Sequence, residues 1–358
     1  MIRPQFSDTL ARVAGDWTDA RSADAAIENL VFLLDSADPD EQDALVTLAA
    51  RIRDHHCGQR MVVRGLVEFS SCCVNTCRYC GLNRNNPKAE RFRLTPDDIL
   101  ESARLVHEAG IRTIVLQSGE ESRDARELAD VINKIKSTYD MAITLSVGER
   151  SHADYALWKE AGADRYLLRI ESVDADVYRS LHVGRELETR LACLETLREL
   201  GYQVGSGVMV GVPGQTTHHL ARDIRFLASR EFDMIGVGPF IPHPDTPFRD
   251  EKAGGVGLTL RMLALLRIVT RNAWLPATTA LGSMDRDYRI DALKAGANVL
   301  MPNFSPVEVK KKYEIYPGKR CITERTGACA LCTEGIARAG GLEIDWSRAD
   351  SLKMAVRL

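Results

Sequence analysis

From Val62 onward, short apolar runs alternate with amphipathic stretches of about 10–18 residues, the texture of strands and helices in turn. The runs are Val62–Phe69, Thr113–Gln117, Ala142–Val147, Arg165–Ile170, Gln203–Val210, Met234–Val237, Leu275–Thr279 and Asn298–Met301. Helix punctuation lies between them. Thr95 can cap a helix with Pro96 at its first position and Asp98 three residues on, and Gly110 closes it. Gly162 and Gly201 end two others. Strands joined by helices imply right-handed crossovers and a parallel sheet. Eight such units predict an α/β fold, a (β/α)8 TIM barrel with its chemistry at the C-terminal strand ends. Upstream, Ile27, Leu30, Val31 and Leu34 fall at helical spacing, a turn follows at Ala37-Asp38-Pro39, and Leu45 to Ile52 is helical again. We expect an N-terminal helical extension over 1–60, the barrel over 61–312 and a cysteine-containing tail over 313–358.

Composition changes this picture little. The chain of 358 residues is 45% hydrophobic and 27% charged, which suits one large domain with appendages. A net charge of −3 gives no polybasic footprint, so nucleic acid is not an expected partner. The first residues hold no apolar run resembling a signal peptide. The most apolar stretch, Leu260 to Val269, is interrupted by Arg261 and Arg267, so no membrane span is expected.

Cysteine usage is more informative. Six of the nine cysteines fall in two tight clusters, which argues for metal in a reducing cytoplasm. Cys57, Cys72 and Cys193 are left over and read as structural. Cys73, Cys77 and Cys80 form C-x3-C-x2-C directly after the first apolar run, at the predicted barrel mouth. Three thiolates on one short loop can hold three irons of a [4Fe–4S] cube that normally takes four protein ligands. The fourth iron stays open to a small molecule. A zinc knuckle would use four ligands in separated pairs, and cysteines as close as Cys77 and Cys80 need no disulfide.

Gln117-Ser118-Gly119-Glu120 ends the second run with a small-residue turn and a carboxylate, where backbone carbonyls can approach an ammonium group. An ordinary turn would use similar residues. Gly205, Gly207 and Gly211 do not match G-x-G-x-x-G. They read instead as glycines at a strand end against which an adenine-bearing ligand could pack.

The three-thiol loop, with Tyr79 before its last cysteine, resembles the radical S-adenosylmethionine (SAM) enzymes, in which SAM chelates the open iron. The segments EFSSCCVNTCRYCGLNRNN, TIVLQSGE, TLSVGER, GADRYLLRIES, MVGVPGQT, DMIGVGPFIPHPDTP, PATTALG, ANVLMPN and YPGKRC occur in one order from Val62 to Cys332. Together they resemble the HydE family of [FeFe]-hydrogenase maturases. Biotin synthase and methylornithine synthase share the fold and the first motif.

The resemblance implies roles residue by residue. Cys73, Cys77 and Cys80 would carry the [4Fe–4S] cluster. The Tyr79 backbone would face the SAM adenine, and Ser118, Gly119 and Glu120 would meet the methionine amino group. Glu171 would accept hydrogen bonds from SAM, Arg190 would pair with its carboxylate, and Met234 would line the adenosine pocket. Arg64, Arg165, Thr278, Thr279 and Met301 would hold an anionic substrate, with Tyr313 closing the cavity. Internal salt bridges of Arg64 and Arg165 to Glu68, Glu149 or Asp164 are the alternative.

The activity implied is reductive cleavage of SAM to a 5′-deoxyadenosyl radical. This radical would attack the sulfur of a cysteine-bound Fe(CO)2(CN) precursor of the hydrogenase H-cluster. HydG and HydF would be partner maturases, with ferredoxin or flavodoxin as electron donor. The alternatives are a synthase acting on an organic precursor, as in methylornithine or biotin formation, and a non-catalytic electron carrier. The tail triplet Cys321, Cys329 and Cys332 reads as a second iron–sulfur cluster, [2Fe–2S] or [4Fe–4S], or as a vestige of one. His243, between prolines, reads as structural.

Overall fold

The alternation of apolar runs and amphipathic stretches is realised as strands and helices in turn. The computed structural model describes residues 2–15, 24–121, 124–320, 322 and 329–353. Its strands are β1 (Arg60–Val63), β2 (Gly65–Ser70), β3 (Thr113–Ser118), β4 (Ala142–Ser146), β5 (Arg165–Leu167), β6 (Gln203–Val210), β7 (Met234–Pro239), β8 (Val299–Leu300) and β9 (Glu343–Asp345). From β2 to β7 they pair in chain order, all parallel. β8 pairs parallel with β1. Isolated parallel bridges, Met234 with Trp274 and Pro276 with Val299, lie between β7 and β8. Because only Arg64 separates β1 from β2, the pairings pass through all eight expected positions and return to the first.

The run Leu275–Thr279 departs from expectation. Pro276 has no N–H to give a ladder, so only bridges form there, and Thr279 begins a four-residue helix to Gly282. The glycines at 205 and 207 are also placed differently. They lie inside β6, where a Cβ on Gly207 would collide with the Gly236 carbonyl of β7, so they serve strand approach and not a strand-end ligand.

Helices cover the sheet as the punctuation requires. Thr95 and Asp98 form a reciprocal capping box on the helix Pro96–Glu108, whose Ile99, Ala103 and Val106 are buried. The N-terminal helices Pro4–Gly15, Asp24–Asp35 and Pro39–Cys57 pack on one another and on the helices Thr217–Ser229 and Val256–Thr270. Among the described residues no helix is long and apolar enough to cross a membrane.

Side chains alternate between the helices and the interior along each strand. That rule fixes which face a residue takes but not its height. Arg165 is the first residue of β5, so it lies at the end opposite the mouth. There it meets the end of the chain. Its guanidinium donates to Gln203 Oε1 (3.0 Å), Thr113 Oγ1 (3.1 Å), the Arg348 carbonyl (2.7 Å) and Asp350 Oδ1 (2.8 Å). β9 pairs with β1, and residues 348–353 then pass beneath the strands. Trp274 Nε1 donates to the Asp350 carbonyl (3.3 Å), and Lys353 Nζ to that of Phe232 (2.7 Å). Arg165 is therefore a clamp for this strap and not an interior anion ligand. Its carboxylate partner is Asp350, none of the three acids expected. Met234 is corrected for the same reason. It opens β7 and packs with Val62, Trp274, Val299 and Ala349, away from any adenosine pocket at the mouth.

The strap has a measurable contribution. Burial alone would raise the Asp350 carboxyl, but Arg165, Gln203 and Arg348 together hold it below the usual aspartate range. A depressed carboxyl stabilises the fold above its unfolded pKa and loses that contribution as pH falls through the folded value. Asp350→Ala should therefore cost about 1–2 kcal/mol at neutral pH, less than a fully buried pair because Asp350 is half-exposed. The cost should shrink below about pH 4. Denaturant midpoints at pH 7 and pH 3.5 check both statements.

Candidate active site

Residues 71–93 leave the end of β2 and return to it. Ser71 N donates to the Phe92 carbonyl (3.1 Å) and Leu94 N to that of Phe69 (2.8 Å), closing the loop at its base. Between these points polar side chains replace strand or helix. Arg91 donates to the carbonyls of Ser71, Leu82 and Asn83, each at 2.7–2.8 Å. Asn83 and Asn86 donate to those of Cys80 and Gly81 (2.8 Å each).

Cys73, Cys77 and Cys80 are half-buried on this loop. Burial pushes all three thiols up, Cys80 to about 12, and the neighbouring thiols Cys80 and Cys73 push Cys77 further. Backbone N–H groups of Asn75 and Glu120 point at the Cys73 sulfur, and that of Leu82 at Cys80. Among the described residues, no group of three or more His, Cys, Asp or Glu is arranged to hold one metal ion. A cube asks for something else, since each thiolate takes its own iron and N–H bonds to sulfur tune it. The donor set and its backbone cradle fit a [4Fe–4S] cluster.

The end of β3 sits against this loop. Gly119 N donates to the Ser70 carbonyl (2.9 Å), and Val74 N to that of Glu120 (2.7 Å). A Cβ at Gly119 would collide with the Cys72 carbonyl. Ser118 Oγ donates to the Gly119 carbonyl (2.7 Å). Glu120 follows, buried, and joins a network wider than expected. Its carboxylate accepts from Glu149 N (2.9 Å) and lies 3.0 Å from Arg185 Nη2 and 3.6 Å from Arg190 Nη2. Glu149 Oε1 lies 2.6 Å from Arg190 Nε without a directed hydrogen bond, and its Oε2 is 3.5 Å from Arg185 Nη1. Burial works against the Arg190 charge, but Glu149, Tyr178 and Glu120 outweigh it and raise its pKa. An open cavity of about 480 Å³ is lined by Val74, Glu120, Glu149, Arg150, Arg185 and Cys193.

Across the mouth, Glu171 follows β5 at φ 60°, rare for a residue with a side chain. It accepts from Arg169 Nε (2.9 Å) and Nη2 (2.8 Å), and Arg169 also donates to the Val208 carbonyl (2.7 Å). The Tyr79 ring stands edge-on to His182 at 5.6 Å, and His182 stacks on Tyr178 at 4.5 Å. Burial, then Arg190 and Arg185, push His182 down to about 3, so this ring is neutral.

Below the mouth, Arg64 is buried. Its Nη1 lies 2.8 Å from Met234 Sδ, and Nε and Nη2 have no hydrogen-bond partner among the described residues. Burial, then Arg165, push it well below the usual arginine range. The hydroxyls of Thr278 and of Thr144, which the sequence reading missed, are likewise buried without a partner. Thr279 and Met301 instead line a small cavity beneath the tail, with Lys319 and Cys332. Tyr313 is buried with its hydroxyl at Gln117. Lys319 enters the same region, pairing with Glu68 and donating to the Tyr313 carbonyl (3.1 Å). Cys321 lies outside the described residues, Cys329 begins the helix Cys329–Ala339, and Cys332 is exposed.

Residues 67–227 match the Radical SAM superfamily. With a parallel α/β sheet and a three-thiol loop at the end of its first strand, the chain is a radical SAM enzyme, a class that implies a [4Fe–4S] cluster and SAM. The [FeFe] hydrogenase maturase subunit HydE of Thermotoga maritima is 47% identical over 291 residues, 81% of this chain and 83% of that protein. The chain belongs to the HydE family. A 3-methylornithine synthase of Methanosarcina acetivorans is 27% identical over 293 residues, 80% of this chain and 83% of the relative. The crystal structure of methylornithine synthase (PylB) superposes with a TM-score of 0.78 at 22% identity, covering 97% of this chain and all of the other, a likeness of fold.

The packing of Gly119 gives a direct test. Gly119→Ala should force the cysteine loop away and leave the reconstituted protein with a small fraction of the wild-type iron. Gly255→Ala, where a Cβ meets nothing within 4 Å, should load normally. Iron and sulfide analysis after anaerobic reconstitution decides between them.

Proposed function

We propose that this enzyme matures [FeFe]-hydrogenase by acting on a small carboxylate-bearing substrate, a cysteine-bound Fe(CO)2(CN) unit. The observation that supports this most is Arg64. A guanidinium buried with two nitrogens unpartnered is costly unless an anion joins it, and Thr278 would be a further donor to that anion.

Cys73, Cys77 and Cys80 would hold the cluster, and Glu120, Arg190, Glu149 and Arg185 would receive the zwitterionic end of SAM. Ser118 and Gly119 would set the turn, the Tyr79 backbone would face the adenine, and Glu171 would accept from SAM. When bound, the cluster and SAM supply a one-electron reductive cleavage that yields a 5′-deoxyadenosyl radical. The chain itself binds, orients and excludes water. Cys321, Cys329 and Cys332 would hold a second iron–sulfur cluster. HydG and HydF are the proposed partner maturases, with ferredoxin or flavodoxin as electron donor.

An amino-acid substrate is the second reading, because Arg64 suits any small carboxylate and the methylornithine synthases are relatives. Each candidate substrate should be offered to the reduced enzyme and 5′-deoxyadenosine measured. Stimulation by the iron–cysteine complex and not by organic amino acids supports the first reading, and the reverse overturns it. Arg64→Met should leave basal SAM cleavage intact and weaken substrate binding about tenfold or more.

Two cysteine variants separate the clusters. Cys77→Ala should abolish SAM cleavage, and retained cleavage would remove the loop from its role. Cys329→Ala should lower total iron yet spare SAM cleavage, measured by iron content and 5′-deoxyadenosine yield.

A further inference from the structure

Asp223 is fully buried on the inner face of the helix Thr217–Ser229, and none of the roles above uses it. Its carboxyl grips one short joint. Val173 N donates to Oδ1 at 2.6 Å, and Ser172 Oγ lies 3.2 and 3.4 Å from the two oxygens. Glu171, just before this joint, holds φ 60°, a conformation that persists only where the surroundings over-determine it. On the other side, Asp174 caps the helix Ala175–Leu181, which carries Tyr178 and leads into His182 beneath Tyr79. The nearby charges do not substitute for the grip, since His219 and Arg222 face Asp174, at 3.7 and 3.6 Å. Burial pushes the Asp223 carboxyl up to about 8, so at neutral pH an asparagine matches it in charge as well as in shape.

We infer that Asp223 is a positioning residue for SAM binding, acting through Ser172 and Val173 to hold Glu171 toward the mouth. The inference rests on Glu171 as a SAM acceptor and is independent of the substrate.

The test is equilibrium SAM affinity of cluster-loaded enzyme, with melting temperature of the SAM-free protein as a control for folding. Asp223→Ala should weaken SAM binding about tenfold, and Asp223→Asn, which keeps an acceptor for Val173 N, should restore it. Ser172→Ala removes one strand of the grip and should give a smaller loss in a protein that folds normally. Glu171→Gln should weaken binding by itself, and adding Asp223→Ala to it should cause little further loss. Independent, multiplicative losses in that double variant, or unchanged affinity in Asp223→Ala, would overturn the positioning role while leaving Glu171 as an acceptor. Unchanged affinity in Glu171→Gln would overturn both.

Discussion

The contact between the Gly119 turn and the cysteine loop sets the geometry on which the rest depends. A loop without strand or helix has no intrinsic stiffness, and three thiols must hold fixed positions for a cube to form. Arg91, Asn83 and Asn86 tie the loop to itself, Leu94 N on the Phe69 carbonyl ties its base to β2, and the turn after β3 ties its thiol-bearing stretch to the sheet. The same turn delivers Glu120, whose own N–H points at the Cys73 sulfur while its carboxylate organises two arginines. One close backbone approach therefore sets the distance between the thiols and the charged network beside them. Glycine is required because the Cys72 carbonyl occupies the space of a Cβ.

Charge is arranged with equal economy. At the mouth, two carboxylates and two guanidiniums are gathered, so burial leaves no net charge to stabilise. Arg169 meets Glu171, Lys319 meets Glu68, and Arg165 meets Asp350. Arg64 breaks the rule. Its closest polar contact is a thioether, and its Nε and Nη2 have no hydrogen-bond partner among the described residues. Against so consistent a background of pairing, that exception is what gives the substrate reading its weight.

Local chemistry was legible in the sequence and long-range closure was not. The capping box at Thr95 is encoded within a few residues and forms as its spacing requires, and the thiol spacing and the carboxylate after β3 are local patterns of the same kind. Glu149 follows the same strand-end logic one strand later and could have been found by applying it again. Arg165 and Met234 were misplaced because alternation along a strand reports inside or outside but not depth. Both open their strands and so lie at the wrong end for the mouth. Leu275–Thr279 looked like a strand by apolarity, yet Pro276 cannot donate to a ladder. The Arg165–Asp350 clamp joins residues far apart in the chain through no shared motif, so pattern alone could not find it.

That clamp and the Lys319–Glu68 pair belong to one design problem. A radical formed inside a barrel must be kept from water at both ends, and a parallel barrel leaves both ends open. The segment after β8 serves both. Tyr313 and Lys319 enter the interior near the thiols, whereas β9 and residues 348–353 cross the opposite end and satisfy Arg165, Trp274 and Gln203. A stretch that reads from the sequence as an appendage thus contributes side chains to both ends of the reaction chamber. Its pairings give Glu68 an ammonium partner and Arg165 a carboxylate partner. Without them the barrel would hold an unpaired carboxylate near the cluster and a second unpaired guanidinium below Arg64, each needing water at the place the chemistry requires to be dry.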